Sequence, residues 1–130
     1  MTRRRLICLY AFVLSTAVAL SAFSAAPPAP AGFQLDGDAA NGKTVYDKRC
    51  ALCHGATGDG QGKMAASLNP KPLDFTSKAL MAKRSDWEVY LAIRDGGKAV
   101  GLSPTMFGWK GLISDQEIRD AAAYVRSLAR

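Results

Sequence analysis

The sequence predicts a small all-α domain, and helical spacing together with helix-start signals leads to this prediction. Spacing of three and four residues begins near Asp38 and continues through Ala39, Gly42, Tyr46 and Cys50. Two later segments open with a serine followed three residues on by a glutamate, which is the capping box of a helix start. No stretch shows the strict apolar–polar alternation that is typical of half-buried strands. The fold class is therefore all-α.

The first and last helices are expected to cross. Asp36 or Asp38 can cap the first helix, and Gly42 inside it costs about 1 kcal/mol relative to alanine unless a close contact requires it. Ser114 opens the last helix, predicted over 115–129, and its apolar face has helical spacing: Ile118, Ala121, Ala122, Val125 and Leu128. Because small alanines permit close approach, we expect this helix to cross the first near Gly42 and Tyr46.

Two further helices are expected between these. Residues 76–83 can form a short helix, after a proline-containing stretch at 69–74 that excludes one. Ser85 and Glu88 open another helix that ends at 96–97, where two glycines follow one another. Its buried side would be formed by Trp87, Tyr90, Leu91 and Ile93.

The first 26 residues are typical of an export signal. A basic start with arginines at 3–5 precedes an apolar stretch at 6–20 and small residues at 21–26. The competing interpretation is an uncleaved membrane anchor, because 6–26 carries no charge and is long enough to span a bilayer. Proline-rich residues 27–35 are predicted to be an extended linker, and 36–130 the folded domain.

The charge balance argues against a nucleic-acid partner. The 130-residue chain has a formal net charge of +6 from 17 basic and 11 acidic residues. Without the three leader arginines, 14 basic residues face 11 acidic ones, so the net charge falls to +3. That excess is too small for the basic surface that binds DNA or RNA.

The clearest chemical signature is Cys50-Ala51-Leu52-Cys53-His54. Two thiols three residues apart with an imidazole directly after the second form the signature of covalent haem attachment. On a helix these three groups share one face, so each sulfur can form a thioether to a porphyrin vinyl group while His54 reaches the iron. A structural zinc site needs four protein ligands, and only two Cys and one His follow residue 26. A disulfide between the two thiols would not need the histidine.

With this motif, the chain resembles the class I c-type cytochromes over about residues 36–129. The resemblance implies a cytochrome c fold, in which three to five helices wrap around one covalently bound haem and the N- and C-terminal helices cross. In that family a proline carbonyl accepts the second N–H of the proximal histidine, and Pro70 and Pro72 both qualify. Trp87 and Trp109 are candidates for the haem pocket, since a family Trp or Tyr often bonds a propionate. Core packing is the competing interpretation for Trp87.

The second axial ligand is expected to be Met106. The chain has a single histidine, which excludes a second histidine ligand from the same chain. Met81 is predicted to pack in the core, and Met64 follows His54 too closely to reach the opposite face of the porphyrin. Met106 lies in a turn-rich loop with Pro104, and this placement resembles the distal ligand loop of the family. The competing interpretation leaves the iron five-coordinate.

These features indicate an electron carrier and not an enzyme. A haem ligated by His54 and Met106 has no open position and suits one-electron transfer. We expect a mono-haem cytochrome in the periplasm, with redox proteins of a membrane complex or a dehydrogenase as donor and acceptor, and with membrane contact only if the leader stays uncleaved. The alternative is a peroxidase-like enzyme or gas sensor with an open sixth position. Basic side chains expected near the exposed haem edge could steer an acidic partner: Lys43, Lys48, Arg49, Lys63, Lys98 and Lys110.

Overall fold

The computed structural model describes residues 26–130 and contains five α-helices in that range. They are α1 (Ala39–Arg49), α2 (Ala51–His54), α3 (Lys78–Met81), α4 (Asp86–Asp95) and α5 (Asp115–Ser127). Two short 3₁₀ helices lie at Ala65–Ser67 and Gly97–Val100. Within these residues no strand is present, and Lys110 and Ile113 form only an isolated bridge. The predicted all-α fold class is confirmed.

The helix starts follow the predicted caps. Asp38 accepts hydrogen bonds from the backbone N–H groups of Ala40 and Asn41 at the start of α1. The capping boxes of α4 and α5 are both formed, by Ser85 and Ser114 with their glutamates. The first helix does not run unbroken through the cysteine motif, because a turn at Cys50 separates α1 from α2.

α1 and α5 cross in close contact, as the sequence predicted. A Cβ atom on Gly42 would collide with the backbone carbonyl oxygen of Asp120 in α5. Tyr46 is fully buried beside this contact, and its ring meets that of Tyr124 edge-on at a centroid distance of 5.1 Å. Ala121 and Ala122 of α5 are also fully buried. The absence of a side chain at Gly42 is therefore what allows the two backbones to approach.

α4 packs between α5 and the loops, with consecutive buried residues from Val89 to Ile93. Tyr90 of α4 donates a hydrogen bond from its hydroxyl group to Asp115 at the start of α5. Arg119 of α5 bonds the same carboxylate at 2.8 Å. α4 is thus tied to α5 by polar contacts at its surface as well as by the core.

The predicted linker packs against the domain and does not extend from it. Residues 27–35 contain no helix or strand, only a turn at Ala31–Gly32. The indole N–H of Trp87 donates to the carbonyl of Pro27 at 2.8 Å, and the ring of Phe33 lies 4.9 Å from that of Trp87. The proline content of this segment predicted an extended linker, but the aromatic side chain of Phe33 anchors it to the domain.

The predicted leader lies outside the described residues except for Ala26. Among the residues from 26 onward, no helix is long and apolar enough to cross a membrane.

Candidate functional site

The cysteine motif forms one wall of a cavity of about 350 Å³. Cys50 stands before the first residue of α2, and the backbone N–H groups of Cys53 and His54 both bond to its carbonyl, at 3.1 and 2.9 Å. This single helical turn brings Cys50, Cys53 and His54 to the same cavity. Cys50 and Cys53 form no disulfide. The structure thus brings together the three groups that the motif predicted.

The remaining wall is mainly apolar with a few charged side chains. Val89, Ala92 and Ile93 of α4 and Val125 of α5 contribute aliphatic surface. Four charged residues also reach the cavity: Arg49, Lys71, Arg84 and Glu88. Arg84 pairs with Glu88 at 3.3 Å. An apolar cavity with three cationic side chains along its lining suits a flat, apolar group that carries anionic substituents.

Two of the three methionines beyond the leader line this cavity. Met106 is half-buried in the loop after the second 3₁₀ helix, and its backbone carbonyl accepts from the N–H of Gly97 at 2.9 Å. Met81, at the end of α3, also lines the cavity but is fully buried within the core. Met64 is 44% exposed and is not among the lining residues. Met106 and Met81 therefore both place a thioether side chain at the cavity, and Met106 as the ligand stays a prediction.

The predicted pocket prolines and tryptophans separate into two groups. Pro70, Pro72 and Trp109 line the cavity, but Trp87 does not. The indole N–H of Trp87 is bonded instead to the carbonyl of Pro27, and its ring packs against Phe33, outside the cavity. The expectation that Trp87 belongs to the haem pocket is therefore corrected, in favour of core packing.

Neither proline carbonyl accepts a hydrogen bond from His54. Within the described residues, its buried Nδ1 has no hydrogen-bond partner of ordinary geometry. The carbonyl of Pro72 faces Gly60, where a Cβ would collide with it. The backbone of Leu73 lies close enough to the imidazole to raise its pKa.

Burial controls the protonation of the motif. It lowers the pKa of His54 to about 4, against a weaker opposing effect from the backbone of Leu73. The imidazole is therefore neutral near pH 7, which is the form that coordinates a metal. Burial, with a smaller contribution from Cys53, raises the pKa of the Cys50 thiol to about 11. A neutral imidazole and two free thiols on one wall, with a thioether in the same cavity, fit a covalently attached haem.

Several cavity residues carried no clear sequence signal. Phe75 stacks on His54 with a centroid distance of 4.6 Å and an interplanar angle of 19°. Lys71 and Arg84 reach the cavity although neither was among the basic residues expected at the haem edge. Of those six, only Arg49 lines the cavity, and Lys43 is paired with Asp47 at 2.6 Å. These positions depend on how the loops return to the motif, which local patterns do not encode.

Comparison with known proteins defines the family. Residues 39–129 match the family model for cytochrome c, and the chain therefore belongs to the cytochrome c family. Membership of this family implies covalently bound haem c as the cofactor.

Individual relatives agree with this assignment. Cytochrome c-554(547) of Halothiobacillus neapolitanus is 34% identical over 96 residues, which cover 71% of this chain and 98% of that protein. The CcoP subunit of a cbb3-type cytochrome c oxidase from Azospirillum sp. (strain B510) is 34% identical over 92 residues, covering 71% of this chain and 29% of the subunit. The chain thus spans less than a third of the oxidase subunit. The solved structure of the c-type cytochrome KustC0563 shares the fold, with a TM-score of 0.56 and 22% identity over 68% of this chain and 98% of that one.

Proposed function

We propose that this protein is a periplasmic mono-haem cytochrome c that carries single electrons between redox partners. Cys50 and Cys53 provide the two thioethers, and His54 and Met106 provide the axial ligands. The observation that carries the proposal is the convergence of these four side chains on one apolar cavity. When bound, the haem supplies a reversible one-electron couple.

The chain's own residues define how that couple is used. Cys50 and Cys53 would attach the group covalently, and with both His54 and Met106 bound to its iron no position would be left for oxygen or peroxide. The aliphatic wall of α4 excludes water, which is one determinant of the reduction potential. Arg49, Lys71 and Arg84 supply cationic partners for the propionates. Trp109 also lines the cavity, and its indole N–H is a hydrogen-bond donor.

Met106 is the preferred ligand over Met81 because the two differ in how they are held. Met81 is fully buried and packs within the same core cluster as Tyr46 and Ile118. Met106 belongs to a half-buried loop between α4 and α5, so its thioether is less committed to core packing.

The test is the behaviour of the protein purified after export in a host that matures c-type cytochromes. We expect the pigment to resist acidified acetone, the ferric protein to show the sulfur–iron charge-transfer band, and the ferrous protein to bind carbon monoxide slowly. Extractable pigment would contradict the covalent attachment. Rapid carbon monoxide binding without the charge-transfer band would instead support the alternative, a haem enzyme or sensor with an open sixth position.

The proposed partners are redox proteins that dock at the cavity mouth. Phe107 lines the cavity and is 58% exposed, and the guanidinium of Arg49 lies 5.8 Å from the ring centre of Trp109. An exposed aromatic group beside basic side chains suits a partner with an acidic surface, such as a dehydrogenase or a membrane complex. Electron-transfer rates that fall as salt rises would support this docking mode, and rates independent of ionic strength would exclude it.

The proposed location is the periplasm, with residues 1–26 as a cleaved signal peptide. The basic start, apolar stretch and small residues of the leader support export. An uncleaved leader would anchor the domain to the inner membrane, facing the periplasm. Mass spectrometry of the purified protein distinguishes the two, since an intact Met1 would rule out cleavage.

A further inference from the structure

The imidazole of His54 is held by an unusual set of neighbours. A ligating histidine normally donates its second ring N–H to a carbonyl or carboxylate, which fixes the ring's orientation. Here Nδ1 is buried and, among the residues from 26 to 130, no hydrogen-bond partner of ordinary geometry reaches it. The side-chain torsion χ2, which turns the histidine ring, has a broad and nearly two-fold distribution when nothing restrains it. The backbone of Leu73 raises the pKa of the imidazole but makes no hydrogen bond of ordinary geometry with Nδ1, so a further contact is needed to restrain the plane of the ring.

Phe75 makes that contact. Its ring lies 4.6 Å from the His54 ring, centroid to centroid, and only 19° from parallel. Rotation of the imidazole out of this plane would push its edge into the phenyl ring, since the two faces are in contact. Offset stacking is also one of the arrangements that aromatic pairs prefer. The stack therefore restrains the rotation that a hydrogen bond would otherwise fix.

The phenyl ring can act as a fixed platform because its backbone is held on both sides. The N–H of Phe75 donates to the carbonyl of Gly58 at 2.7 Å. The next residue, Thr76, donates its N–H and its hydroxyl to the carboxylate of Asp74, at 2.8 and 2.6 Å. Thr76 also accepts a hydrogen bond from the N–H of Arg130 at 3.2 Å. These bonds tie residue 75 to the loop after the motif and to the C-terminus.

We propose that Phe75 is a positioning residue, which sets the orientation of the His54 imidazole about its bond to the iron by stacking on its face. The inference rests on the proposed function, in which His54 is an axial ligand. Phe75 acts through His54. Its expected influence is on the ligand field and the reduction potential of the haem.

The experiment compares Phe75→Leu and Phe75→Tyr in the exported, haem-loaded protein. Leucine keeps an apolar side chain but removes the flat face, whereas tyrosine keeps the ring. We expect Phe75→Leu to shift and broaden the ferric electron paramagnetic resonance g-values, which report the orientation of the imidazole plane, and to shift the midpoint potential. Phe75→Tyr should keep the wild-type g-values. Wild-type g-values in Phe75→Leu would overturn the inference.

Phe33→Leu is the matched control. Phe33 also packs against aromatic neighbours, edge-on to Trp87 and tilted against Tyr90, but it does not line the cavity. It should lower the melting temperature without changing the g-values. A g-value shift in Phe33→Leu equal to that in Phe75→Leu would show that general loosening, and not the stack, sets the ring orientation.

Two measurements separate this inference from the proposed function. In the reduced, diamagnetic wild type, nuclear Overhauser contacts between the ring protons of His54 and Phe75 test the stack without any substitution. Their absence would overturn the inference even if Phe75→Leu does not fold. His54→Ala should abolish the low-spin spectrum, and an unchanged spectrum would overturn the proposed ligand and with it the function.

Discussion

The α1–α5 crossing and the cavity wall are built in different ways. At the crossing, Gly42 and Tyr46 come from one regular helix, and Ala121 and Ala122 come from another. The cavity wall draws on all five helices and on the loops at 68–75 and 102–109. Contacts at the crossing follow from helical periodicity, whereas contacts in the wall depend on where long connections return.

This difference predicts that the crossing mainly determines stability and that the cavity wall mainly determines the ligands of the iron. Substitutions at the crossing should change the free energy of unfolding and leave the iron ligands in place. Substitutions in the wall should change the ligands or their orientation with a smaller effect on stability. The predictions below test whether the two regions can be separated in this way.

The largest expected effect is the loss of a ligand in Met106→Leu. Leucine keeps a similar apolar volume, so the free energy of unfolding should change by less than about 1.5 kcal/mol from packing alone. It has no sulfur, however, and the ferric charge-transfer band should disappear while carbon monoxide binds the ferrous protein rapidly. Optical spectra of the purified variant check both outcomes.

Met81→Leu is the matched substitution on the other side of the comparison. Met81 lines the same cavity but is fully buried in the core. Its replacement should keep the charge-transfer band. If the band were lost in Met81→Leu and retained in Met106→Leu, the roles of the two methionines would be exchanged.

Gly42→Leu should have the next largest effect, on stability alone. A side chain there meets the backbone of Asp120, which cannot rotate away as a flexible side chain could. Overpacking of this kind typically costs about 1–3 kcal/mol, and thermal unfolding should show a lower midpoint. The optical spectrum of the remaining folded protein should keep its ligand bands.

Ala40→Leu provides the control on the same helix. Ala40 is exposed in the first turn of α1, so its replacement should change stability by no more than about 0.5 kcal/mol. An equal loss in both variants would mean that bulk anywhere in α1, and not the crossing, is responsible.

The crossing could be predicted from the sequence because local features define each of the two helices and its buried face. The caps Asp38 of α1 and Ser114 of α5 and the small residues of α5 are local features, and each appears where it was expected. The motif was predicted for the same reason, since one helical turn places Cys50, Cys53 and His54 together. These elements need no information from the rest of the chain.

The rest of the wall could not be predicted in this way. Phe75 is 21 positions after His54 and reaches it only because the intervening loop folds back, with Phe75 bonded to Gly58. Trp87 was expected in the pocket, but the segment before α1 supplied it with a different partner in Pro27. Both outcomes depend on long-range contacts that neither spacing nor composition contains.

The smallest predicted effect is the pH dependence of the polar contact between α4 and α5, which Tyr90, Asp115 and Arg119 form. This contact is called the α4–α5 joint below. The pKa of Asp115 lies below its ordinary value of 3.8, first because Tyr90 donates a hydrogen bond to it and second because Arg119 bonds its other oxygen. Arg94 adds a weaker favourable charge. A carboxylate with a lowered folded pKa stabilises the protein above the unfolded pKa, near pH 4, and loses that contribution as the pH falls through the folded value.

Asp115→Asn should therefore reduce the acid sensitivity of unfolding below about pH 4, and should lower the free energy of unfolding above that pH. The carboxylate is 58% exposed, so solvent screening should keep the contribution to less than about 1 kcal/mol. Denaturant titrations at pH 3 and pH 6 measure the difference.

Tyr90→Phe is the matched variant, because it keeps the buried ring and removes only the donor, so that the pKa of Asp115 moves back toward 3.8. An identical acid response in the wild type and both variants would place the acid sensitivity elsewhere, with the capping glutamates Glu88 and Glu117, whose pKa values are also lowered by their serines, as the next groups to test. Because this joint lies in the helical framework, the charge-transfer band should stay constant across the same titrations while the free energy changes.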